Sequence, residues 1–252
     1  MSSVATYTRF EMLRLLRNRQ NLIFSLVFPI IMYFLLAGPN KDNHNFGGTA
    51  AHPTGLFAPQ YYMVGLLAFG AMVAVLSGGA RIAAERTIGW NRLLRLTPLS
   101  ASRYLRTKIL TGYLMAVVGI VLLYAAGILL GVRLPFANWL EMTGLVLVAL
   151  VPFAALGIGA GHLLNDDSAG PAMGGGVSLF AFLGGTWFPI TGSGLFVQFC
   201  QLLPSYWLVQ AGHVGLGSGN PWGVKAWAVI IVWSAACSAF AGWAYRRDTG
   251  RA

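Results

Sequence analysis

Apolar and polar positions are segregated along this chain on the scale of a bilayer. Six apolar runs, at residues 22–38, 60–80, 108–131, 139–161, 170–190 and 224–244, each have about the 17–25 residues an α-helix needs to cross a membrane. Backbone in hydrocarbon must satisfy its own hydrogen bonds, so these runs predict helices. No acid or base lies in the middle of any run, and Glu141 sits near an end. Pro29 and Pro152 fall inside runs, where neighbouring helices can take up the freed carbonyls. A seventh run, Leu195 to Leu216, is long enough to cross but is interrupted by Gln198, Gln201, Pro204, Ser205, Gln210 and His213.

Charge orients the pattern. Fourteen of the seventeen Lys and Arg residues lie in three stretches between the runs, Arg9 to Arg19, Arg81 to Lys108 and Arg246 to Arg251. Short basic loops are retained on the cytoplasmic side, so both termini are expected inside a cell (inner or plasma) membrane crossed many times. Counting Leu195–Leu216 as a crossing would put Arg246, Arg247 and Arg251 outside. Parity therefore predicts an outer re-entrant or interfacial helical pair over residues 191–222. Trp139, Trp187, Tyr206, Trp207, Trp222 and Trp227 fall at the expected outer boundaries, where amphipathic rings prefer to lie.

With 56% hydrophobic and 10% charged residues, the chain has too few charges for a soluble fold, which carries roughly 25%. A net charge of +10 raises the question of nucleic acid, but the basic groups flank spans and read as topology signals in contact with anionic lipid. Cys200 and Cys237 have no CxxC partner or nearby His cluster and read as packing residues. The N-terminal apolar core has no small-x-small cleavage site after it, so the first run is expected to stay as a span. Residues 1–20 read as an interfacial helix because of their arginines and position, for Phe10, Met12, Leu13, Leu15 and Leu16 make no clean stripe. The fold expected is an all-α membrane protein in a single domain, residues 1–252, with six transmembrane helices.

Chemistry is sparse. There is no GxxxxGK[ST] phosphate loop, and neither GxSxG nor HExxH occurs. His44 and His52 in the polar loop 39–57 lack acidic partners and read as solvated, so no metal site is expected. His162, Asp166 and Asp167 form the nearest thing to a catalytic cluster; on one helix His162 and Asp166 would share a face. The plainer reading is that Asn165 and the two aspartates cap the next span. A proton relay would need ionisable groups at mid-membrane. Gly127/Gly131, Gly157/Gly161 and Gly170/Gly174 are GxxxG pairs that let helices approach closely.

The segment 81–107 carries more information. Gly89 and Pro98 break it into two short helices, and Ser100 or Ser102 can cap the helix after Pro98. Trp90, Leu93, Leu94 and Leu96 give it more apolar surface than a topology anchor needs, which points to a docking face.

At this segment the chain resembles the ABC-2 type permease family, the membrane subunits of ATP-driven exporters, and within it the daunorubicin-resistance type. The family's loop between second and third spans carries a Glu, a Gly and a Leu-rich turn ending in Thr-Pro. Here these are Glu85, Arg86, Gly89, Leu93, Leu94, Thr97, Pro98, Leu99 and Ser100. Where members usually have Gly-Thr and an acid, this chain has Gly89-Trp90-Asn91. Gly184, Gly185, Trp187, Phe188 and Pro189, with Leu203, Pro204 and Trp207, match the fifth span and the re-entrant helices after it.

The resemblance implies a type V exporter-like architecture and a non-catalytic subunit. Such a subunit dimerises, with a copy or a paralogue, and binds two separate nucleotide-binding subunits that hold the ATP and Mg. It holds no cofactor of its own. The coupling interface would include Arg81, Glu85, Arg86, Gly89, Trp90, Arg92, Leu93, Leu94, Thr97 and Pro98, with His162, Asp166 and Asp167 as a second cytoplasmic contact. Tyr62, Phe69, Phe180, Phe182 and Trp187 are candidates for a substrate path that suits hydrophobic or amphipathic small molecules. Export of a lipid-linked or glycan substrate, and a non-transporting scaffold, are the alternatives.

Overall fold

In the computed structural model, residues 10–15, 17–46, 55–89, 101–190, 192–217 and 222–249 are described, and among them every regular element is helical. Helix α1 starts at Arg19–Leu22, passes through a π-helical turn at Ile23–Val27 and continues as Phe28–Ala37. The π turn follows from Pro29, which has no N–H for the Ser25 carbonyl; the Phe28 N–H donates to Ile23 O instead. Helix α2 spans Ala58–Thr87, α3 Ala101–Leu129, α4 Phe136–Ala149 and α5 Val151–Leu163. Helix α6 spans Asp166–Gly184, α7 Leu195–Cys200, α8 Pro204–Gly215 and α9 Val224–Thr249.

Four helical stretches are long and apolar enough to cross a membrane: Ala58–Thr87, Ser102–Leu129, Phe136–Leu163 and Val224–Asp248. The third contains α4 and α5, which meet at Leu150, two residues before Pro152. Ile23–Ala37 is a shorter apolar helix. Helix α6 has 19 residues, opens with Asp166 and Asp167, and stops at Gly185, whose φ of 78° closes it with left-handed backbone. The apolar run expected to span 170–190 is therefore helical only to Gly184. The run Leu195–Leu216 is divided in two, because Pro204 opens a new helix after the turn at Gln201–Leu203. At 6 and 12 residues, α7 and α8 rise about 9 and 18 Å against a hydrocarbon core of about 30 Å. Neither crosses.

Helix α2 is the axis of the bundle. Its apolar residues face every direction and nearly all are buried, the mark of a helix surrounded by others. It packs against α1, α3, α5, α6 and α8. Glycines set the closest approaches: a Cβ at Gly79 would lie 1.9 Å from Gly157 O, and one at Gly161 2.4 Å from Gly79 O. Of the three GxxxG pairs, only Gly157/Gly161 forms such a crossing; Gly170 and Gly174 face open space and Gly131 has a φ of 90° in a turn. Helices α3 and α9 carry the exposed apolar faces, including Leu114, Val121, Ile231 and Val232, as lipid-facing helices do.

Candidate functional site

Two charged networks lie at the end of the bundle where α2 finishes and α3 begins. With a rise of 1.5 Å per residue, Arg81 is about 35 Å along α2 from its start, past one hydrocarbon thickness. In the first network, three helical segments each contribute two side chains one turn apart. Residues 10–15 supply Glu11 and Arg14, α2 supplies Arg81 and Glu85, and α3 supplies Tyr104 and Lys108.

Glu85 is fully buried and accepts from Arg14 Nη1 at 2.6 Å, Lys108 Nζ at 2.6 Å and Tyr104 Oη at 2.5 Å. Lys108 also donates to Glu11 Oε1 at 2.5 Å, and Arg81 Nε stands 3.7 Å from the same oxygen. A carboxylate so enclosed is stable only while its donors stay in place, so this network ties the N-terminal segment to both helices flanking the loop.

The second network holds α2 to α5 and α9. Arg86 donates from Nε to Asp248 Oδ1 at 2.9 Å, and from Nη1 to the carbonyls of Gly161 and Leu164 at 3.1 and 3.2 Å. His162 Nδ1 lies 2.8 Å from Asp248 Oδ2 and Tyr245 meets the imidazole edge-on at 5.3 Å. His162 and Asp166 do not share a helix: α5 ends at Leu163 and Leu164 is extended, so His162 turns to α9 instead. Asn165 holds the N-cap position of α6 with no side-chain cap bond, and Asp166 and Asp167 occupy its first turn, exposed.

Of the proposed coupling residues, then, Arg81 and Glu85 are buried and Arg86 is half-buried between helices. Helix α2 ends at Thr87, Ile88 is well exposed and Gly89 has a φ of 71°, so the turn comes where the sequence puts it. Trp90, Arg92, Leu93, Leu94, Thr97 and Pro98 lie outside the described residues, as does His52. Sequence reasoning missed Glu11, Arg14, Tyr104, Lys108 and Asp248. The available signal was the one-turn spacing of each pair, which singles out no partner by itself.

The aromatic candidates separate. Phe69 lies between Phe28, at 5.6 Å, and Trp187, at 5.8 Å, both rings tilted against it. Tyr62 packs on Phe46 at 4.8 Å, Phe180 meets Phe153 edge-on at 5.3 Å, and Phe182 points outward. Phe69 also lines an open groove of about 780 Å³ between the start of α1, α2 and α6. Among the described residues no group of three His, Cys, Asp or Glu side chains could hold a metal, and Cys200 and Cys237 are buried free thiols.

This helical bundle, with a basic connection between two long apolar helices, matches a family profile described as "ABC-2 family transporter protein" over residues 49–244. The chain belongs to the ABC-2 transporter family. It is also 28% identical over 226 residues to a Bacillus subtilis (strain 168) protein named "Putative transport permease YvfS", a match covering 88% of this chain and 87% of that protein. As an ABC-2 permease the chain is a multi-pass membrane subunit of an ABC transporter and works with a partner ATPase subunit. The two networks sit around the connection between α2 and α3, and between α2, α5 and α9.

Proposed function

We propose that this chain is the permease half of an exporter that moves hydrophobic or amphipathic compounds out of the cell, driven by ATP hydrolysed on a separate subunit. The observation that carries the reading is the groove between α1, α2 and α6. Its walls include Phe24, Phe28, Phe69 and Val73, which suit an apolar body. Two copies of the chain, or the chain and a paralogue, enclose one pathway. The connection from Ile88 to Pro98 receives the ATPase, with the turn at Asp166 and Asp167 as a second contact, while the buried Arg81, Glu85 and His162 act through the helices they hold. Motion of the ATPase reaches the spans because Glu85 joins α2, α3 and the N-terminal segment rigidly.

The test is transport in inside-out vesicles carrying the chain and its ATPase. ATP should drive uptake of a hydrophobic fluorescent compound into the lumen, and vanadate should stop it. Uptake that is unaffected by ATP contradicts the reading.

In the bilayer we propose six crossings: α1, α2, α3, α4 with α5, α6 and α9. The α7–α8 pair folds back at the outer face, and both termini are cytoplasmic. Cysteines at positions 193 and 218, in a background with Cys200 and Cys237 replaced by serine, should label from outside, and one at Ile88 from inside only. Labelling of 193 and 218 from opposite sides would contradict this topology.

A further inference from the structure

The first ionic network is not balanced. Glu11 and Glu85 supply two negative charges, and Arg14, Arg81 and Lys108 supply three positive ones. The surplus rests on Arg81. Its side chain is only 9% exposed, its one ion contact is the 3.7 Å approach to Glu11, and all three guanidinium nitrogens lack a hydrogen-bond acceptor among the described residues. A buried guanidinium without acceptors is costly, and an anion is what relieves it.

Arg81 lines the groove, and so does Asn21, whose Nδ2 is a second buried donor without an acceptor among the described residues. From Arg81 the groove runs along one ridge of α2 through Ser77, Val73 and Phe69, four residues apart, about 18 Å in all. Phe24 and Phe28 of α1 face that ridge. One end therefore offers donors and a positive charge, and the rest offers aromatic and aliphatic wall. Asp166 is the carboxylate among the described lining residues; it is exposed, so water screens it far more than the enclosed Arg81.

We propose that this groove binds an anionic amphiphile, with the acidic head on Arg81 and Asn21 and the apolar body along Val73, Phe69 and Phe28. The shared chemistry is a phosphate- or carboxylate-bearing head on a hydrophobic chain. A resident anionic phospholipid and a transported acidic compound both have it. The site needs no ATP turnover, so it stands or falls separately from the export reading.

The experiment titrates dodecyl phosphate into the full chain held in dodecyl maltoside, reading heat and the shift in thermal unfolding. Saturable binding is expected, with inorganic phosphate alone and dodecyltrimethylammonium each at least about tenfold weaker. Arg81→Gln should lower the affinity for dodecyl phosphate by about tenfold or more, as loss of a charge-assisted bond implies.

Gly174→Leu provides a second variant should Arg81→Gln fold poorly. A Cβ at Gly174 meets nothing within 4 Å, so the new side chain grows into the groove and should block the probe without touching the ionic network. Lys225→Gln, which removes an exposed cation far from the groove, should change nothing. Equal binding by wild type and both groove variants, or no saturable binding by wild type, overturns the proposal.

Native mass spectrometry separates the two sources. An anionic phospholipid that copurifies with wild type and is missing from Arg81→Gln identifies a resident lipid. Saturable probe binding by a chain that carries no lipid identifies a free amphiphile.

Discussion

Glu85→Ala is expected to destabilise the folded chain by about 3–5 kcal/mol, the range for breaking a buried ionic group by removing one partner. The substitution leaves Lys108, 1% exposed, with Glu11 as its one carboxylate among the described residues, and removes the carboxylate oxygen to which Tyr104 donates. Arg14, half exposed, can turn to water, so most of the loss falls on the enclosed Lys108. Function should suffer more than stability. The N-terminal segment and α3 lose their common anchor on α2, and that anchor is the rigid link between the loop and the spans. A permease carrying Glu85→Ala should still insert, and its partner's ATPase should lose most of its stimulation by transported compounds. Glu85→Gln should recover part of the stability, because the amide still accepts from Lys108, without restoring the charge. Thermal unfolding in detergent and substrate-stimulated ATP hydrolysis are the readouts; wild-type values in both for Glu85→Ala would take the network out of the coupling path.

Gly79→Ala should be as damaging for a different reason. The added methyl would sit 1.9 Å from the Gly157 carbonyl oxygen and 2.6 Å from the Met173 methyl. The methionine can move, but the helix backbone of α5 cannot without opening the α2–α5 crossing and straining the Arg86 bonds to the Gly161 and Leu164 carbonyls. Overpacking of this kind costs about 3 kcal/mol, which for a chain of this size lowers the unfolding midpoint by roughly 6–12 °C. Gly175→Ala, one methyl on the same bundle where nothing lies within 4 Å, should leave the midpoint unchanged or raise it slightly. Equal midpoints for the two variants would contradict the close crossing.

The same glycines show how far sequence goes. Three GxxxG pairs look alike on paper, and the one that crosses does so because Gly79, outside any such pair, lies opposite Gly157 and Gly161. A motif describes one helix, whereas a crossing needs the partner's backbone. The helices themselves were legible because burial in lipid demands long apolar runs, and Pro204 announced the break that splits 195–216.

The ionic network was not legible, because hydrophobic periodicity reports apolar faces and the N-terminal segment packs through a polar one. Glu11 and Leu15 are buried there while Phe10 is exposed. Charges that read as topology signals one stretch at a time turn out to meet across stretches. Arg14 finds Glu85 71 residues away, and His162 finds Asp248 86 residues away. Burial also changes what Arg81 and Glu85 can do, since enclosed side chains act on a partner through the helices they hold.

If this permease takes its energy from a separate ATPase bound at the connection between α2 and α3, the two must purify together. The measurement is purification of the tagged chain in mild detergent after coexpression with the products of adjacent reading frames, followed by mass determination and ATP hydrolysis. The expected result is a complex of two permeases and two P-loop ATPases, hydrolysing ATP faster when hydrophobic compounds are added. A chain that purifies alone, under conditions where known exporters stay assembled, contradicts that coupling.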